Sequence, residues 1–309
     1  MTDTAPFPLH LLAPPDPATL PLPYPARPAD GVRLLRGALY GVPDGSRPLA
    51  IDLWLPVEAS APVPVVVFVH GGAWRTGLRD DLGHRFRSWQ PGPFARLVRS
   101  GFAVACPDYR LSGEAPYPAQ TDDLAAALAW LHTRADDLGL DTARTVLWGE
   151  SAGGHLAALT ALTHSTRTGT ATVTGCVTWY AATDLPGLAD DRPRGAYDPH
   201  DPGSFEALLL GGAPADRAEA ARDASPVTHV GPKAPPFLLL HGADDTLVPA
   251  RQSVRLAEAL GAAGHHPELR LLAGGDHLWA GLSEEDVEDC YARTVDFARR
   301  RTGHAEGTP

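Results

Sequence analysis

The run Val63–Val69 reads Val-Pro-Val-Val-Val-Phe-Val, without a polar residue. A strand with one wet face alternates apolar and polar positions. An unbroken apolar run, mostly Val with Phe, therefore predicts a strand buried on both faces of a parallel sheet. Residues 33–40 and 49–55 do alternate, and Pro43-Asp44-Gly45 between them supplies turn chemistry, so a pair of strands is predicted ahead of the buried one. Downstream the period switches back and forth. Apolar residues recur at helical spacing over 94–100, 119–138, 152–163, 250–263 and 283–300, and strand-like runs lie at 102–106, 145–148, 173–180, 236–240 and 268–272. Gly101, Pro107 and Gly139 stand where these elements should stop. Such alternation predicts an α/β fold on a doubly wound, mostly parallel sheet.

Two stretches break the rhythm. Residues 1–30 are rich in proline, which suits an extended arm and not a helix or central strand. Residues 184–225 carry Pro186, Pro193, Pro199, Pro202 and Gly211-Gly212, with only short helical patches. Long insertions in compact α/β domains are usually functional, and this one is expected to cap the active site. The main domain is expected over 31–303, with a disordered tail over 304–309.

Composition narrows the class. The chain has 309 residues, 44% hydrophobic and 20% charged, an ordinary globular balance with room for one large domain. A formal charge of −11 argues against nucleic acid or an anionic membrane as partner. Cys106, Cys176 and Cys290 are widely spaced, show no metal-type pairing and demand no oxidising compartment. The N-terminus has Asp3, no basic segment, and prolines at 6, 8, 14 and 15. Neither a signal peptide nor a membrane span is expected, and a cytoplasmic enzyme is. No metal is expected, and a homodimer is left open.

The strongest chemical signal is Gly149-Glu150-Ser151-Ala152-Gly153, a G-x-S-x-G between a predicted strand and a predicted helix. A chain turning that sharply crowds its own backbone. Glycines two positions either side relieve the crowding and leave the middle residue strained, with its side chain aimed outward. Ser151 is therefore the candidate nucleophile. It needs a base, a group orienting the base, and donors for an oxyanion.

His277 follows the 268–272 strand and the flexible Ala273-Gly274-Gly275-Asp276, at the kind of strand end where α/β sheets build their sites. His265 and His266 precede Pro267 and look like solvated loop residues. Asp244 and Asp245 follow the strand at 236–240, which gives the chain order Ser, Asp, His. The two neighbours cannot both face His277. His70-Gly71-Gly72-Ala73-Trp74 follows the buried run, and its glycines let backbone N–H groups converge. The N–H of Gly72 or Ala73, with that of Ala152, would form the oxyanion hole. His70 is expected to brace this loop, and Glu150 to be exposed and brace the elbow. Arg110 either clamps a carboxylate near the oxyanion loop or makes a surface ion pair. Trp74, Trp179, Tyr180, Phe205 and Trp279 are candidates for lining a substrate pocket, or equally for the core.

Together these motifs resemble the α/β-hydrolases, specifically the carboxylesterases of the hormone-sensitive-lipase-like and bacterial feruloyl- and acetyl-xylan-esterase-like group. The resemblance rests on His70-Gly71-Gly72-Ala73-Trp74, Asp108-Tyr109-Arg110-Leu111, residues 116–123, 149–155 and 241–249, and His277. The family pattern H-G-x-x-D-x-x-V-P, laid on His241 to Pro249, selects Asp245 over Asp244. The resemblance implies an α/β-hydrolase fold, hydrolysis of small carboxylic esters through an acyl-enzyme, no cofactor, and a lid formed by the arm and the insertion. Ser112-Gly113-Glu114 departs from the Ala-Pro-Glu of many lipase-like members. Arylformamidases resemble the same pattern, so an amide hydrolase is the nearest alternative. A biosynthetic cyclase or lyase reusing the oxyanion hole is another.

Overall fold

The computed structural model describes residues 14–164, 169–193 and 197–303. The start of the expected arm and the expected tail over 304–309 lie outside them. Nine strands among the described residues form one sheet: β1 (Ala26–Ala29), β2 (Val32–Gly41), β3 (Leu49–Pro56), β4 (Val63–Val69), β5 (Ala103–Pro107), β6 (Leu140–Glu150), β7 (Val173–Trp179), β8 (Phe237–Gly242) and β9 (Glu268–Leu272). Their spatial order is β1-β2-β3-β5-β4-β6-β7-β8-β9. Pairings from β1 through β3 to β5 are antiparallel, and every pairing from β5 to β9 is parallel.

The apolar run in β4 explains the layering. Val65, Val67 and Val69 enter one core cluster while Val66 and Phe68 enter the other, because successive strand side chains face opposite ways. On the first face lie α2 (Ala119–Thr133), α4 (Ala152–His164) and α8 (Arg251–Ala262), contributing Leu124, Leu128, Leu156 and Leu256. On the second lie α1 (Pro93–Arg99) and α9 (Glu284–Thr302), contributing Phe94, Leu97, Val287 and Phe297. Each such side chain stabilises the fold by about 1.5–3 kcal/mol relative to exposure.

Two elements differ from the sequence expectation. The helix expected over 119–138 breaks at Arg134, with α3 (Ala135–Leu138) following. Arg134 takes a non-helical conformation there, and its Nη1 donates to the carbonyls of Ala18 at 3.1 Å and Leu20 at 2.9 Å. The described part of the arm is thus pinned against α2, and its β1 adds an edge strand, the place in a sheet where proline is tolerated. β6 also starts earlier than expected, at Leu140, and passes through a register irregularity between Asp141 and Thr145, opposite Pro64 and Val65.

Among its described residues, the insertion between β7 and β8 holds three short α-helices, α5 (Leu188–Asp191), α6 (Phe205–Leu210) and α7 (Ala218–Asp223). Leu185, Leu188, Leu209, Ala221 and Ala224 anchor it in the first core cluster. No helix among the described residues is long and apolar enough to cross a membrane.

Candidate active site

Ser151 sits between the end of β6 and the start of α4 with φ at 50°, in the left-handed region. Its N–H donates to the Trp179 carbonyl at 2.8 Å and its own carbonyl accepts from His155 at 3.0 Å, so the strained residue is fixed from both sides. The flanking glycines are sterically required. A Cβ on Gly149 would lie 2.2 Å from the Gly153 carbonyl oxygen, and one on Gly153 would lie 2.1 Å from that of Val69.

Loops at the C-terminal ends of β8 and β9 bring the other two groups to Ser151. His277 Nε2 lies 3.0 Å from Ser151 Oγ, and His277 Nδ1 lies 2.7 Å from Asp245 Oδ2. Asp245 Oδ1 accepts the N–H groups of Leu247 at 2.9 Å and Val248 at 2.8 Å. Burial works to raise the Asp245 pKa, but hydrogen bonding and charge from His241 and His277 outweigh it and hold the carboxyl at about 2. Asp244 turns to a different task, accepting the Gly274 N–H at 2.9 Å. Asp276 ties the two loops together: its Oδ1 accepts from the backbone of Thr246 and of His277, each at 2.7 Å.

The glycine-rich loop after β4 places Gly72, Ala73 and Trp74 at φ of 106°, 53° and 56°. A Cβ on Gly72 would lie 2.2 Å from the Thr76 carbonyl oxygen, so this turn admits only glycine. The Gly71 N–H is already engaged by Glu150 Oε1 at 3.1 Å. Among the described residues no acceptor takes the N–H of Gly72, Ala73 or Ala152. His70 is buried, stacks on Tyr109 at 4.4 Å and holds the Gly71 carbonyl through Nδ1 at 2.8 Å. Burial lowers its pKa, which keeps it a neutral brace.

Glu150 corrects the sequence reading: it is buried, not exposed. Its other oxygen accepts from the Tyr180 hydroxyl at 2.7 Å, and the Tyr180 ring stands edge-on to His277 with centroids 4.9 Å apart. Burial raises the Glu150 pKa, against the lowering effects of Tyr180, Gly71 and His277. One carboxylate thus braces the glycine-rich loop and, through Tyr180, the imidazole. Arg110 forms a bidentate pair with Asp123 of α2, with Nη2 at 2.7 Å and Nε at 2.9 Å, and its remaining side-chain hydrogen bond goes to the Ala119 carbonyl.

A cavity of 710 Å³ opens over Ser151, walled by His70 to Ala73, Arg75 to Leu78, Glu150, Phe205, Leu247, His277 and Leu278 among others. The described wall does not include Trp74, Trp179, Tyr180 or Trp279, all of which are buried. This corrects their expected role as pocket lining. The last three pack edge-to-face in a series toward His277, with ring centroids 5.4 Å apart for Trp179 and Trp279 and 4.7 Å apart for Tyr180 and Trp279. Most find their polar partner inside: the Trp179 indole donates to Thr294 Oγ1 and that of Trp74 to His155 Nδ1, both at 3.0 Å. Phe205 alone of the expected aromatics lines the cavity. The described arm residues are also absent from its wall.

Sequence reasoning missed Asp276, Tyr180 as a partner of Glu150, and His241. The last lies within the matched motif, yet its signal there is positional. His241 is fully buried, donates from Nε2 to the Val248 carbonyl at 2.8 Å, accepts from Ser253 at 2.7 Å, and approaches Asp245 Oδ2 at 3.3 Å.

The model of one protein family, BD-FAE, matches residues 51–260. The chain is similar to the probable carboxylic ester hydrolase LipM of Mycobacterium tuberculosis, 29% identical over 226 residues, covering 70% of this chain and 50% of LipM. It is also similar to esterase LipC of the same organism, 31% identical over 243 residues, covering 74% of this chain and 55% of LipC. The chain spans about half the length of these curated relatives. Among solved structures, a truncated carbohydrate esterase from gut microbiota superposes with a TM-score of 0.73 at 22% identity, covering 87% of this chain and 96% of that one. A likeness at that identity speaks to the fold, an α/β-hydrolase.

Proposed function

The chain belongs to the BD-FAE family, and on that premise we propose that it is a serine hydrolase cleaving small carboxylic esters through an acyl-enzyme. The observation that carries this reading is the unbroken series from Ser151 Oγ to His277 Nε2 at 3.0 Å and from His277 Nδ1 to Asp245 Oδ2 at 2.7 Å. An ionised Asp245 keeps the proton of neutral His277 on Nδ1, which leaves the Nε2 lone pair facing the serine hydroxyl. His277 Nε2 takes the hydroxyl proton of Ser151 as Oγ attacks the ester carbonyl, then gives it to the departing alkoxide. Water attacks the acyl-serine by the same route, and the acid leaves.

The unclaimed amides of Gly72, Ala73 and Ala152 are assigned to the oxyanion, where each donor is worth about 3–4 kcal/mol in the transition state. Phe205 in the cavity wall supports a cap role for the insertion over 184–225. The curated relatives reported above carry ester-hydrolase names, which favours ester over formamide. Three buried, unpaired cysteines are in keeping with a cytoplasmic location.

The test is Ser151→Ala assayed on p-nitrophenyl butyrate, with fluorophosphonate labelling of the wild type. We expect kcat to fall by about 10⁴-fold or more with the far-UV circular dichroism unchanged, and the label to map to Ser151. Retained turnover in the variant would sink the nucleophile assignment.

A further inference from the structure

Seven large apolar side chains among the described residues are exposed, and four of them line the cavity over Ser151: Leu78 (66%), Phe205 (40%), Leu247 (43%) and Leu278 (38%). Single exposed leucines are ordinary. Four gathered around one candidate nucleophile make a surface suited to an apolar substrate body.

The charges of the same wall run against those of the whole chain. The sequence offers 37 acidic residues to 26 basic ones, so carboxylates for pairing are in excess. Yet the acids of the wall are occupied. Asp81 pairs with Arg87 and accepts the Gly83 N–H at 3.0 Å, while Glu150 holds the Gly71 N–H and the Tyr180 hydroxyl. Arg75 lines the cavity, is exposed, and has no carboxylate partner among the described residues. It lies two positions beyond Ala73 on the glycine-rich loop, and His84 adds another nitrogen donor to the wall. With screening over about 8 Å in physiological salt, a ligand in the cavity meets this local cation ahead of the distant acidic surface.

We infer that the enzyme favours esters whose apolar chain ends in a carboxylate, with Arg75 binding that carboxylate and the chain lying against Leu78, Phe205, Leu247 and Leu278. A planar guanidinium matches a carboxylate with two parallel N–H···O bonds, a geometry that a lysine does not offer. The inference rests on the ester-hydrolase reading above and narrows it to a substrate class.

The experiment compares monoethyl adipate with ethyl hexanoate, which carries a methyl group where the adipate has its carboxylate. Ethyl 6-aminohexanoate is the cationic counterpart. Wild type is expected to show a KM about fivefold lower for monoethyl adipate than for ethyl hexanoate, with the advantage shrinking in 0.5 M NaCl (a concentration chosen to bring the screening length toward ~3 Å). Arg75→Gln should erase the ratio, and Arg75→Glu should turn the preference to the amino ester. A merely structural role would lower all three rates together and leave their ranking alone. Equal KM values for the anionic and neutral esters in wild type would overturn the inference, as would a ranking that survives Arg75→Glu. Ser151-dependent cleavage of ethyl hexanoate with no anionic preference would leave the ester-hydrolase reading standing alone; cleavage of none of the three esters would end both. The salt series needs no variant, so a poorly folding Arg75 substitution does not decide the matter.

Discussion

The indole N–H of Trp74 donates to Nδ1 of His155 at 3.0 Å, and both side chains are buried. His155 Nε2 in turn donates to the Ala224 carbonyl at 2.6 Å. An indole only donates and a carbonyl only accepts, so one neutral tautomer of His155 satisfies both. The contact joins the glycine-rich loop, the helix that begins after Ser151, and the end of the insertion. His155→Phe leaves a buried donor and a buried acceptor unpaired, and is expected to cost about 3 kcal/mol in urea unfolding and to lower kcat. His155→Gln, able to donate and accept, should retain most of both. An unchanged urea midpoint in His155→Phe would show that the link carries no weight.

Acid stability follows from two groups with opposite ionisation. Burial lowers the His155 pKa from 6.5 to about 4, so the folded state resists a proton that the unfolded chain accepts. Its contribution is full above pH 6.5 and falls as pH drops toward 4, by about 3 kcal/mol. Asp245 is depressed from 3.8 to about 2, so its contribution is present above pH 3.8 and is lost as pH falls toward 2, by about 2 kcal/mol. Unfolding free energy measured from pH 7 to 2 should decline through both windows, and the upper decline should weaken in His155→Gln. A flat profile between pH 6.5 and 4 would contradict the buried neutral imidazole.

The adjacent aspartates should separate cleanly. Asp245→Asn replaces the acceptor of His277 Nδ1–H with an amide that also favours the wrong tautomer, and is expected to lower kcat by about 10⁴-fold. Asp244→Asn keeps an oxygen for the Gly274 N–H and should stay within about threefold of wild type, since a surface substitution of this kind shifts stability by about 0.5 kcal/mol or less. Comparable losses in both variants would reverse the assignment.

Glu150→Gln presents one oxygen and one NH2 where the structure needs two acceptors, for Gly71 and for Tyr180. One buried hydrogen bond is lost, worth about 1–3 kcal/mol. We expect kcat to fall about tenfold or more with KM little changed, and affinity for a phosphonate analogue of the transition state to fall in parallel. A loss confined to KM would place Glu150 in substrate binding instead.

The α/β sheet and the serine elbow were legible because they depend on local rules. The short, valine-rich apolar run of β4, with no polar alternation, marks a strand buried on both faces, and Gly149 and Gly153 are demanded by backbone atoms that a sharp strand-to-helix turn brings close. The order of motifs along the chain likewise pointed to Ser151, His277 and the Asp244-Asp245 pair, with the family resemblance selecting Asp245; the fold brings Ser151, His277 and Asp245 together across 126 and 32 positions. Burial was not legible in the same way. Glu150 looks like a solvated carboxylate next to an exposed serine, and only packing against Tyr180 and the Gly71 amide takes it inside. Trp179, Tyr180 and Trp279 carry apolar bodies with polar handles, a composition that fits a pocket wall or a core equally. Trp179 and Tyr180 meet interior partners, Thr294 and Glu150, set by how distant helices and strands dock, whereas Trp279 is buried by ring packing alone, its indole nitrogen without a hydrogen-bond partner among the described residues. Period and glycine placement determined the scaffold and the serine elbow, and motif order with the family resemblance supplied the candidate reacting groups; side-chain neighbours from remote segments decided what braces them and what lines the cavity.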